Sequence, residues 1–315
     1  MVENNPFRPT GGRRDARRRR SRRVNPDGTM SLIEHLYELR HRIALAALAI
    51  ILGSILGFLW FTVTVGPIPS LGTLMTSPYC DLPTNLRVDF GGQKCGLLQT
   101  QPFEAFKIRL EIGIAAGFVL TSPVWLYQVW AFITPGLYRK ERKFAVTFVT
   151  AAVVLFSLGA VMAYLVFPTA LKVLSSVGGG QFLTAFAATS YVSFMLNLLL
   201  IFGASFELPL LVVMLNRIGV LPYDKLKRWR RGMIFGLFVF AAFATPGQDP
   251  ISMIALAGGL TLLLEVAVQL SRVHDRRKNQ QRVDEGWDGL SDDEASPLAP
   301  VEPVTDEHHS YDDAT

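Results

Sequence analysis

Catalytic chemistry has almost no foothold in this sequence. Its five histidines, His35, His41, His274, His308 and His309, stand outside the long apolar runs, and no HExxH, GxSxG or phosphate-binding loop occurs. The usual enzymatic constellations are therefore missing. An enzyme is not expected, and neither is a cofactor. Only two cysteines are present, Cys80 and Cys95, and without further ligands at metal-site spacing they do not predict a metal centre. Internal repeats are missing as well, which removes the paired broken helices typical of many secondary transporters. Positive charge is nearly absent from two segments: residues 66–104 hold only Arg87 and Lys94, and residues 168–190 only Lys172.

What the chain does have is apolar length. Half of the residues are hydrophobic, and they gather in long uncharged runs instead of recurring at the helical spacing of a soluble core. A hydrocarbon core of about 30 Å takes roughly 20 apolar residues per helix, which the runs match far better than the alternating ten-residue strands of a barrel. The predicted fold is an all-α integral membrane protein with six transmembrane helices, at 43–65, about 106–130, 144–167, 191–216, 232–245 and 251–271. Pro168 is expected to end or kink the third, and Glu207 and Pro209 fall in the latter half of the fourth. The fifth and sixth form a hairpin across PGQDP and are short for an average bilayer. Gly53/Gly57, Gly113/Gly117 and Gly232/Gly236 are GxxxG pairs, suited to close helix packing.

Charge sets the expected orientation. Arg139, Lys140, Arg142 and Lys143 follow the second run, Arg217 and 225–231 lie between the fourth and fifth, and Arg272, Arg276, Arg277 and Lys278 follow the sixth. Cations so close to membrane ends mark the cytoplasmic side, which places both termini there. Segment 66–104 then faces the oxidising side, where Cys80 and Cys95 are expected to be bridged, two free thiols being the alternative. Residues 1–29 read as a disordered basic arm, retained and drawn to anionic lipids, with nucleic acid the rejected partner. Residues 30–272 form the membrane domain. Residues 273–315 form a disordered tail, first basic and then acidic.

Four acids stand out by position. Glu38 lies in SLIEHLYELRHR, where Ser31 and Glu34 form a capping box and Glu38 has Arg42 at i,i+4. This amphipathic helix is expected to lie at the interface before turning into the first span. Glu141, near the end of YQVWAFITPGLYRKER, is the one acid among Arg139, Lys140, Arg142 and Lys143. On spacing alone, each is either a surface charge balancing its neighbours or a ligand for a cationic partner. Glu207 and Glu265 lie inside membrane runs, where a charge costs about 2.5–3.5 kcal/mol on insertion scales, and such acids are functional candidates. These residues by themselves leave a protein-export receptor, a small-solute transporter and a passive scaffold open.

Four motifs narrow the choice. HLYELRHR is similar to the HLxELRxR signature of TatC amino termini, YQVWAFITPGLYRKER resembles the loop between the second and third TatC helices, and FGASFELPL resembles the fourth-helix motif. FATPGQDPISM follows in the same order, one residue longer than the common TPPD form. The chain thus resembles the TatC family, the core subunits of twin-arginine translocases. That resemblance implies binding of twin-arginine signal peptides of folded cargo, with Glu38, Glu141, Arg40, Phe132 and Tyr138 at the site. It further implies roles in transport or partner contact for Pro78, which shapes the periplasmic cap, and for Glu207, Thr245 and Asp249, with Thr245 in a lipid-facing groove. Assembly with TatA and TatB type subunits, self-association, contact with membrane lipids, export driven by the proton-motive force and location in the bacterial cytoplasmic membrane complete the expectation.

Overall fold

The computed structural model describes residues 32–64, 66–83, 95–133, 142–176 and 186–284. In order, its helices are α1 (Leu32–Trp60), α2 (Leu71–Cys80), α3 (Glu104–Leu120), α4 (Ser122–Ile133), α5 (Arg142–Ser176), α6 (Ala188–Ser205), α7 (Leu208–Arg217), α8 (Tyr223–Ala244) and α9 (Pro250–Asp284), with a 3-10 turn at Pro246–Gln248. Four stretches are long and apolar enough to cross a membrane: His35–Trp60, Val146–Ser176, Ala188–Arg217 and Pro250–Gln281. The bent pair α3–α4 makes a fifth. α8 is not among them, because Asp224 and five cations occupy its first nine residues.

Several boundaries differ from the sequence reading. The amphipathic amino-terminal segment does not turn before the first span; both form the single helix α1. The capping box falls outside the described side chains. α5 continues through Pro168 to Ser176 instead of ending there. α9 carries on to Asp284, so 273–284 is helical.

Two breaks have local causes. Pro123 cannot donate to a carbonyl one turn back, and the chain bends by 58° between α3 and α4. At the bend Thr121 Oγ1 donates to the Gly117 carbonyl at 2.7 Å, while the Trp125 indole donates to the Phe118 carbonyl at 2.9 Å. Pro209 plays the same part between α6 and α7, leaving Phe206 and Glu207 in a turn.

Close packing is confined to two of the three GxxxG pairs. A Cβ on Gly117 would overlap the Ser54 backbone and lie 2.6 Å from the Gly53 carbonyl carbon, and one on Gly57 would lie 2.7 Å from the Gly113 carbonyl oxygen. α1 and α3 therefore touch backbone to backbone. Gly232 and Gly236 have no neighbour within 4 Å of such a Cβ among the described residues.

A helix absent from the sequence reading, α2, caps one end of the bundle. Ser70 accepts from the Thr73 N–H at its start, and the buried Pro78 lies inside it. Since Pro78 has no N–H, the Leu74 carbonyl loses its helical donor. The Tyr164 hydroxyl of α5 donates there at 3.0 Å, and the Tyr191 hydroxyl of α6 donates to the Met75 carbonyl at 3.0 Å. Cys80 is joined to Cys95 by a disulfide. Mass spectrometry of protein alkylated without reductant is expected to find no labelled thiol; two labels would contradict the bridge.

The same end contains a carboxylate that the sequence reading passed over. Glu104 is 4% exposed. Its Oε2 accepts from the Thr100 and Gln101 N–H groups at 2.6 and 3.1 Å, and its Oε1 accepts from the Thr189 N–H at 2.9 Å and from the Thr189 hydroxyl. One side chain thus ties the loop after Cys95 to the amino terminus of α6. Glutamine offers an amide where the second oxygen must accept, so Glu104→Gln is expected to lower the midpoint of thermal unfolding in detergent. An unchanged midpoint would show that the tie contributes nothing.

Candidate functional site

At the end of the bundle opposite α2, α1 and α4 converge on Glu38. Arg42 sits one turn along α1, and its Nε and Nη2 donate to Glu38 Oε1 at 3.0 and 2.6 Å. Arg42 Nη1 also reaches Gln128 Oε1 on α4 at 3.4 Å. One turn further along α4, the Phe132 ring stacks on His35 with centroids 4.5 Å apart and planes at 18°. The Glu38 and Arg42 side chains are 23% and 21% exposed. Glu38 is thus held in place by packing while its carboxylate remains reachable.

The pairing is one-sided. Both Arg42 donors fall on Oε1, and among the described residues Oε2 accepts no hydrogen bond. A guanidinium approaching from outside meets that oxygen edge, and charge-assisted bonds of this kind are the stronger ones. Arg40 is exposed, as are Ile33, Leu36 and Tyr37 beside it, so the acid is bordered by apolar surface. Glu141 and Tyr138 lie outside the described residues. The chain between α4 and α5 spans only 134–141, so Glu141 immediately precedes α5.

Glu207 occupies a separate place, in the break between α6 and α7. Both carboxylate oxygens are shielded from solvent and neither completes a hydrogen bond of good geometry. The Trp130 indole of α4 faces them. Trp130 belongs to a buried apolar cluster with Leu126, Phe156, Leu210 and Met214. α4 consequently lies beside both places, with Gln128 against Arg42 and Phe132 against His35, and Trp130 toward Glu207.

The remaining expected residues are spread out. Pro78 is in α2. Thr245, expected on a lipid-facing groove, is 2% exposed, and its hydroxyl donates to the Ala241 carbonyl at 3.0 Å. Asp249 is 5% exposed and accepts from the Ser252 N–H at 2.7 Å, opening α9. Glu265 pairs with Arg230 at 2.6 Å, and not with Arg272. Sequence reasoning also missed Asp275, which accepts from the Tyr223 N–H at 2.7 Å and from Asn216 Nδ2 at 3.2 Å, locking the α7–α8 turn to α9. The one acid in the run RVHDRRK was the available signal.

Apolar spans, two broken helices and a half-buried acid at one end define a polytopic α-helical membrane protein built around carboxylates. The model for the Sec-independent protein translocase protein (TatC) matches residues 34–258. A TatC of Corynebacterium kroppenstedtii is 48% identical over 290 residues, covering 89% of this chain and 70% of that protein. One from Frankia casuarinae is 44% identical, covering 89% and 76%. A crystal structure of the twin-arginine translocase receptor TatC is similar with a TM-score of 0.61 at 31% identity, covering 75% of this chain and 99% of that one. The chain belongs to the TatC family. It is a protein-translocase subunit and not a catalytic enzyme.

Proposed function

We propose that the chain is the receptor that takes the twin-arginine signal peptide at its Glu38 end, with Glu38 and Glu141 each accepting one guanidinium. The observation that carries this reading is the Glu38 carboxylate, fixed through Oε1 by Arg42 and open at Oε2, beside the helix that leads into the Glu141 loop. Neighbouring guanidiniums need acids presented from separate elements, because each planar fork claims a carboxylate of its own. Phe132 and His35 close the floor of the site, and Arg40 and Tyr138 border it.

On this reading the Glu38 end is cytoplasmic, the membrane is the bacterial cytoplasmic membrane, and α8 completes six crossings with both termini inside. Once its basic first turns lie among headgroups, the apolar remainder, 232–244, extends about 20 Å at 1.5 Å per residue, short of an average core, and the bilayer thins locally to meet it. Lipids, TatA and TatB type subunits and further copies of this chain are the partners, with export driven by the proton-motive force. Glu207, Thr245, Asp249 and Pro78 act in assembly or transport after recognition.

Photocrosslinking from positions 38 and 141 to a twin-arginine peptide in membranes tests the receptor reading. Both positions are expected to label the peptide, and less so when its arginines are replaced by lysine. Labelling that ignores the arginines would overturn the assignment. For Pro78, substitution is expected to impair transport more than peptide binding; equal loss of both would contradict that division.

A further inference from the structure

We propose that the acidic segment 285–315 docks on the basic surface formed by the first turns of α8 and the last turns of α9. Lys225, Lys227 and Arg228 are exposed on α8, and Arg276, Arg277 and Lys278 are exposed on α9. Among the described residues none of these six has an ion pair; the nearby pair uses Arg230 and Glu265. Asp275 brings the two sets together by accepting from the Tyr223 N–H, and Arg272 lies 6.0 Å from the Tyr223 ring. The result is one cationic surface at the junction of two antiparallel helices, and nothing in the reading of Glu38 uses it.

The occupant follows from where the chain goes next. Residues 285–315 contain ten acids, among them Asp292, Asp293 and Glu294, and no lysine or arginine. They begin at the end of α9, nine residues past Asp275, or about 14 Å at the helical rise. Ten extended residues cover roughly 33 Å, so Asp292–Glu294 can return to Lys225. Tethering of this kind raises the effective concentration to the millimolar range, and opposite charge supplies the attraction.

Headgroup phosphates compete for the same cations. Trp229, 69% exposed and one turn beyond Lys225, is suited to interfacial depth, so the α8 cations border the membrane. Arg276, Arg277 and Lys278 instead extend past the start of α8, away from it. That position favours the segment of this chain over lipid.

Zero-length carbodiimide crosslinking of the full chain in nanodiscs, followed by peptide mapping, tests the proposal. Links from Lys225 or Lys227 to acids in 285–315 are expected in zwitterionic lipid and in discs containing about one-third anionic lipid. They should fall several-fold at about 0.5 M salt, where surface charges are screened. Links confined to Lys278, or no links, would overturn the docking. Links lost on adding anionic lipid would give the surface to headgroups and overturn it equally. Because the peptide site is not probed, failure here leaves the receptor reading intact.

Discussion

Gly117→Leu is expected to abolish accumulation of the folded protein, or to leave it without a compact protease-resistant core. Any Cβ at this position overlaps the Ser54 backbone and sits 2.6 Å from the Gly53 carbonyl carbon. No side-chain rotation relieves that overlap, because both neighbours are backbone. In lipid, helices associate mainly through such close van der Waals contact, and an inserted side chain forces α1 and α3 apart along their shared length. Overpacking in soluble cores costs about 1–3 kcal/mol and occasionally more; a backbone clash lies at the upper end. Gly258→Ala is the control. Its Cβ meets nothing within 4 Å, and alanine improves helix propensity by about 1 kcal/mol, so thermal stability in detergent should hold or rise. Wild-type behaviour of Gly117→Leu would mean that α1 and α3 do not pack as described.

The displacement of α1 would also reach the functional end, because Glu38, Arg42 and His35 ride on α1 while Gln128 and Phe132, which meet Arg42 and His35, ride on α4. The second large effect is therefore chemical and more selective. Alanine at Glu38 removes the oxygen edge offered to a guanidinium and also frees Arg42 to repel one. A partly desolvated charged hydrogen bond contributes about 1.5–3 kcal/mol, equal to roughly 10- to 150-fold in affinity. An exposed surface pair would change affinity far less. Stability should be nearly unaltered, since a pair at i,i+4 contributes only about 0.3–0.5 kcal/mol.

The long apolar runs were legible because each is local. The breaks at Pro123 and Pro209 were not, and the second and fourth runs read as continuous. What else escaped notice depends on distant partners. α2 carries an internal proline that argues against a helix, and the hydroxyls that satisfy its carbonyls come from Tyr164 and Tyr191, on helices far along the chain. Glu104 looks like an ordinary helix-start acid until Thr189 is placed beside it. The three GxxxG pairs are indistinguishable as strings, yet only two face one another. Thr245 is 2% exposed and its hydroxyl donates to the Ala241 carbonyl of its own helix. The fifth span, read as 232–245, begins earlier, at Tyr223, because its charged first turns do not look apolar.

The most direct measurement is the affinity of a twin-arginine signal peptide for the wild-type chain, Glu38→Ala, Glu141→Ala and the double variant in native-like membranes. Each single variant is expected to bind roughly 10- to 150-fold more weakly, the double variant more weakly still, and a peptide with lysines in place of both arginines should bind the wild type poorly. Unchanged affinity in a folded double variant would contradict a shared carboxylate site.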